Sequence, residues 1–110
     1  MPLLERTRVE VYLPDLPSSQ YQNFLQSLEE EFTYTFGGAS IVRGLEGSYL
    51  SAAGERIPDR INLLYSDAPL ALSIDFSSVA AYVREIKRTA TEELSEETVL
   101  ISVGQVYHEV

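Results

Sequence analysis

Few side chains in this sequence could do covalent chemistry. Ser40, Ser48 and Ser51 carry hydroxyls within or beside one glycine-rich stretch. A serine nucleophile needs a positioned base. The only histidine, His108, lies at the far end of the chain, and there is no cysteine. Thiolate metal sites and disulfides are thereby excluded. One histidine without cysteine makes no transition-metal site by itself. The 17 acidic residues show no spacing that singles out a pair for acid–base work. Asp59 beside Arg60 and Glu55 beside Arg56 read as solvent-exposed loop charges, worth little. No catalytic set, metal site or cofactor is expected.

The stretch from Gly37 to Tyr49 holds four of the six glycines. A glycine loop that cradles phosphate leads into a helix, and a P-loop adds lysine. Gly37-Gly38 leads instead into a strand pattern with no lysine near. The simplest role for these glycines is to permit tight turns and close backbone approach. In a functional role, Arg43 and the backbone around Gly38, Ser40, Gly44 and Gly47 would bind a small anion at a cleft between subunits.

The elements that would position this stretch follow from periodicity. Arg8 to Leu13 alternates, with Val9, Val11 and Leu13 on one face and Tyr12 on the other. Pro14 and Pro17 end that strand. Ser18 or Ser19 offers a helix cap, and Ser19 with Gln22 has capping-box spacing. Tyr21, Phe24, Leu25, Leu28 and Phe32 form one helical stripe of about three to four turns. Ala39 to Arg43 is the second strand and Ile57 to Tyr65 the third. The connection between them, about Gly44 to Arg56, is longer than an ordinary hairpin, and Glu46 to Arg56 within it is expected to be mobile.

Ser66 to Pro69 is a turn. Leu70 to Ile74 is a brief apolar run, loop or strand extension. Asp75 or Ser77 caps a second helix, whose stripe is Val79, Tyr82, Val83, Ile86, Ala90 and Leu94. Glu96-Glu97 links to a last strand, Thr98 to Tyr107. Val99, Ile101 and Val103 point inward there, with a bulge after Gly104 where the alternation slips. The order β-α-β-β-α-β predicts one ferredoxin-like α+β domain of 110 residues. Two helices would cover one face of a four-stranded antiparallel sheet, in strand order 4-1-3-2.

Gly38-Ala39-Ser40-Ile41-Val42-Arg43-Gly44-Leu45-Glu46-Gly47 resembles the GATVxRGxEG stretch of PII-like signalling proteins, which share this element order. The resemblance implies an oligomer, commonly a trimer. It implies that the β2–β3 connection contacts partners and that small effectors, often adenine nucleotides, sit between subunits. The glycine-lysine pair and terminal arginines of PII nucleotide sites have no counterpart in Gly104 to His108. The chain also resembles small uncharacterised bacterial ferredoxin-like families, a likeness that brings no function with it.

Net charge is −9, and Lys87 is the only lysine. Nucleic acid and anionic membranes need clustered cations and are poor partners. No apolar run approaches the ~20 residues of a membrane helix. The first residues lack the apolar core of a leader peptide. The cytoplasm is the expected compartment. By parity, Tyr12, Leu64 and Leu100 should lie on the sheet face that the helices leave bare. They are the expected interface of a homo-oligomer, dimer or trimer. The function that fits is a non-enzymatic regulatory or ligand-sensing module. The alternatives are a protein–protein interaction or scaffold domain without a small ligand, and a small enzyme with a site between subunits.

Overall fold

The structure is a computed structural model describing residues 2–95 and 99–109. Its elements run β1 (Leu3–Pro14), α1 (Ser19–Phe36), β2 (Ser40–Leu50), β3 (Arg56–Ala68), α2 (Leu72–Leu94) and β4 (Leu100–Glu109). The strands form one antiparallel sheet in the order β2-β3-β1-β4, the expected ferredoxin-like topology. The Glu96-Glu97 link and the Thr98 start of the last strand lie outside the described residues.

The core sits between the sheet and the two helices. Val9, Val11 and Leu13 of β1 meet the α1 stripe of Tyr21, Phe24, Leu25, Leu28 and Phe32, with Ile86 and Ala90 of α2. Ser18 caps α1, its Oγ accepting the Tyr21 N–H at 3.1 Å. Gly37 ends it in the left-handed conformation (φ 96°), its N–H donating to the Thr33 carbonyl. That conformation strains any residue with a Cβ, so glycine fits the break. Phe36 meets Tyr82 edge-on, ring centres 5.5 Å apart, and ties the C-terminal end of α1 to α2.

Several boundaries differ from expectation. β1 begins at Leu3, where Leu3 to Thr7 pair with Glu109 to Gln105 although their sequence does not alternate cleanly. The run at Leu70 to Ile74 is neither loop nor strand beyond Ala71; Leu72 begins α2. Asp75 is a kink within that helix (φ −100°, ψ 15°), and its Oδ2 accepts the Ala71 N–H at 3.1 Å. Asp75 therefore holds the entry to α2 and marks the break after which the main helical stripe begins. No bulge follows Gly104: β1 and β4 keep one register from Leu3 opposite Glu109 to Tyr12 opposite Leu100. Val106 is simply an apolar residue opposite Arg6 on the uncovered face.

The largest difference is the β2–β3 connection. Instead of a mobile segment from Glu46 to Arg56, both strands continue as a paired ribbon, from Leu45 opposite Ile61 to Leu50 opposite Arg56. Ser51 to Glu55 close it: the Ser51 N–H donates to the Glu55 carbonyl at 2.8 Å, and Gly54 takes φ 82°. β1 reaches only to Pro14 opposite Ile61, so the ribbon runs past the sheet as a two-stranded arm. It accounts for the elongated outline, 48 × 29 × 25 Å.

Candidate functional site

The arm is rooted in a β-bulge. Val42 pairs with Leu63 but Leu45 pairs with Ile61, leaving Arg43 and Gly44 as the irregularity. Gly44 takes φ 69°, and a Cβ there would come 3.0 Å from the Arg60 Nη2. Its N–H donates to the Asn62 Oδ1 at 3.0 Å. Asn62 is 1% exposed, and its Nδ2 donates to the Tyr21 hydroxyl at 2.9 Å and to the Asp15 Oδ1 at 3.2 Å. One buried amide thus ties the β1–α1 loop, the first turn of α1, β2 and β3 together. Burial raises the Tyr21 hydroxyl pKa, partly offset by the Asn62 hydrogen bond. The Arg43 Nη1 reaches the Gln22 Oε1 at 3.4 Å.

Beside this node, on the helix side of the arm and beyond the start of α1, lies an open cleft of about 930 Å³. Asp15 and Leu16 form one wall; Glu46, Gly47, Arg56 and Arg60 belong to the other. Among the described residues, Arg43, Arg56 and Arg60 form no ion pair. The cleft therefore presents guanidinium groups in a chain of net charge −9. It can take a small anion, or a zwitterion that also engages Asp15 or Glu46.

The anticipated residues divide. Arg43 and Gly44 share the node, and Gly47 lines the cleft. Gly38 and Ser40 lie near the other end of β2; the Gly38 carbonyl accepts the Ser66 Oγ at 2.5 Å, and Ser40 pairs with Tyr65. At about 3.3 Å per residue, Gly38 is roughly 25–30 Å from Gly47. One small ligand cannot span both. Sequence reasoning missed Asp15, Tyr21, Arg56, Arg60 and Asn62 as site residues. A polar Asn62 within an apolar strand was the one visible signal.

The bare sheet face also needs a correction. Leu64 is fully buried and lies opposite Val11, on the helix side. Asn62, two positions before it on the same strand face, is buried too. The inward residues of β3 are Asn62, Leu64, Ser66 and Ala68. Polar Asn62 and Ser66 can lie inside because each is hydrogen-bonded. Ile61, Leu63 and Tyr65 consequently face out. The uncovered face carries a row across all four strands: Leu100, Tyr12, Leu63 and Val42. Leu100 and Val42 are 62% and 38% exposed.

At the other end of that face, Asp67 joins Arg8 and His108. Arg8 Nε and Nη2 donate to its two oxygens at 2.7 and 2.9 Å, and the His108 Nε2 lies 2.8 Å away. These partners, Arg8 first, hold the Asp67 carboxyl below the usual carboxylate range. Among the described residues, no group of three or more His, Cys, Asp or Glu side chains is placed to hold a metal ion. Among the described residues, no helix is long and apolar enough to cross a membrane.

No protein-family model matches the chain, and no curated protein matches it in sequence. Solved structures do match in fold. CutA1 from Oryza sativa superposes with a TM-score of 0.61 at 13% identity, over 98% of this chain and 85% of that one. The divalent cation tolerance protein CutA1 from Thermus thermophilus gives 0.56 at 18% identity, over 92% and 82%. CPII, a nitrogen regulatory PII-like protein from Thiomonas intermedia bound to ADP, AMP and bicarbonate, gives 0.58 at 13% identity, over 99% and 98%. The likeness to PII-like proteins read from residues 38–47 thus holds at the level of the fold, which this chain shares with CPII and CutA1.

Proposed function

We propose that this chain is a non-enzymatic, self-associating ligand-sensing module of the cytoplasm, with a small anionic metabolite bound at the root of the β2–β3 arm. The observation that carries this reading is the Arg43–Gly44 bulge, held by buried Asn62 beside a cleft whose Arg56 and Arg60 form no ion pair among the described residues. A ligand there touches both the rigid node and the arm. Its binding energy can therefore bias how the arm is held. The row Leu100–Tyr12–Leu63–Val42 supports self-association, with a small apolar centre and a polar surround of Glu10, Ser102 and Ser40. Fold likeness to CPII, itself a nitrogen regulatory PII-like protein, is in keeping with a regulatory role.

The test is a melting-temperature screen against nucleotides and small organic acids. A ligand at a hundredfold its Kd should stabilise the wild type by about 2.7 kcal/mol. Arg43→Ala and Arg60→Ala should each diminish the shift. No response to any member at millimolar concentration sinks the sensing reading. A binding domain for other proteins would then lead, since Tyr49 and Leu50 near the arm's tip are 56% and 73% exposed.

A further inference from the structure

At the end of the sheet away from the arm lies a small cavity of about 100 Å³. Val9, Ala68 and Val79 line it, with Phe36 and Tyr82 at the side and Leu70 toward the entry of α2. The lining is almost wholly apolar. Four hydroxyl residues border it: the Thr7 hydroxyl donates to the Leu70 carbonyl at 2.9 Å, the Tyr82 hydroxyl donates to the Glu31 Oε2 at 2.5 Å, and Thr35 and Ser78 add almost no polar surface to the lining. A water would find few of the two to four partners it needs there, so the space favours an apolar occupant.

The segment bordering the cavity is unusual. Leu70 to Val79 includes the kink at Asp75, and the N-cap residue Ala71 supplies no side-chain hydrogen bond. Ile74 and Phe76 flank the kink at 83% and 65% exposure. Two large apolar side chains thus lie in solvent on a segment whose two ends, Leu70 and Val79, line the cavity. A core selected only for packing would draw such groups inward. The kink divides the first turn of α2 from the rest of the helix.

We propose that this cavity is a binding site for a short uncharged aliphatic group. A cavity of ~150 Å³ accepts benzene, so 100 Å³ corresponds to about four carbons. A charged group has no partner in the lining and is excluded. The site is separate from the arm cleft and does not depend on the function proposed for it.

The test uses the full chain and two probes, xenon and n-butane, followed by methyl NMR. Saturable shifts are expected at the methyls of Val9, Leu70 and Val79, absent from Leu45 and Ile57 on the arm. Ala68→Val, which fills the space, should abolish them; Val79→Ile is the second filling variant if the first does not fold. Butyrate, the same chain on a carboxylate, should produce no shift at these methyls. Non-saturating shifts, shifts spread over the surface, or equal binding by a folded filled variant would overturn the proposal. Should neither variant fold, the wild-type shift map alone decides.

Discussion

The Gly44 N–H and the Asn62 Oδ1 are hydrogen-bonded at 3.0 Å across the root of the arm, although 18 positions separate them in sequence. Gly44 can take φ 69° without strain, and Asn62 has acceptor and donors on one short side chain. The bulge exists where these two requirements coincide.

Asn62→Leu should therefore destabilise the protein by about 2–3 kcal/mol, because it orphans the Gly44 N–H and removes a donor from the Tyr21 hydroxyl. Gly44→Ala should cost about 1–2 kcal/mol, from positive φ and the crowding by Arg60. Gly38→Ala has open space and ordinary φ, so it should be close to neutral. Urea unfolding of the three variants checks this; equal losses at Gly38 and Gly44 would contradict the bulge geometry.

The arm should show graded amide exchange. Protection is expected to be highest in Val9 to Leu13, intermediate along Leu45 to Leu50, and lowest at Ala52 to Gly54. The arm's ladder is paired but has no helix over it. Exchange along Leu45 to Leu50 as fast as at Ala52 would instead indicate a loop.

Leu63 and Leu64 are neighbours with opposite fates. Leu63→Lys should leave the fold intact and weaken self-association, seen as a lower light-scattering mass across a concentration series. Leu64→Ala should cost about 2–5 kcal/mol in unfolding free energy, since its side chain lies in the core. A wild-type chain that stays monomeric at high micromolar concentration would refute the interface.

Asp67 supplies a pH signature. Its folded carboxyl lies below the ordinary value, so its stabilisation is present above the unfolded pKa of ~3.9. That contribution is lost as pH falls through the lower folded value. Asp67→Asn should cost about 0.5–1.5 kcal/mol at pH 7, a modest figure because Arg8 is partly solvent-screened. The difference from wild type should shrink below about pH 4. A gap that is constant from neutral to strongly acidic pH would mean that the Arg8–Asp67 pair contributes nothing through charge.

Tyr82 acts at the alkaline end. Burial, then the hydrogen bond to Glu31, raises its hydroxyl pKa well above the ordinary tyrosine value. The neutral form is favoured in the fold, so this stability is complete below pH ~10 and lost as pH rises toward the folded value. Tyr82→Phe should flatten the loss of melting temperature between about pH 9.5 and 11, where Tyr12→Phe should change it less.

Local pattern determined a good deal of this protein. Helical stripes from Tyr21 to Phe32 and from Val79 to Leu94, and the alternation of Val9, Val11 and Leu13, each report one buried face directly. Their order, with the handedness of crossovers, was enough for the strand order. Tertiary structure decided what local pattern leaves ambiguous. Both faces of β3 are partly apolar, so only the pairing of Val11 with Leu64, and the partners of Asn62 and Ser66, choose which face is buried. Glycines at 44, 47 and 54 read as a loop because glycine permits one; the register across Leu45 to Leu50 makes it an arm. The candidate site shows the same division. Arg43 and Gly44 stand out in a glycine-rich stretch, whereas Asp15, Tyr21 and Asn62 become one hydrogen-bonded node only when three distant segments meet.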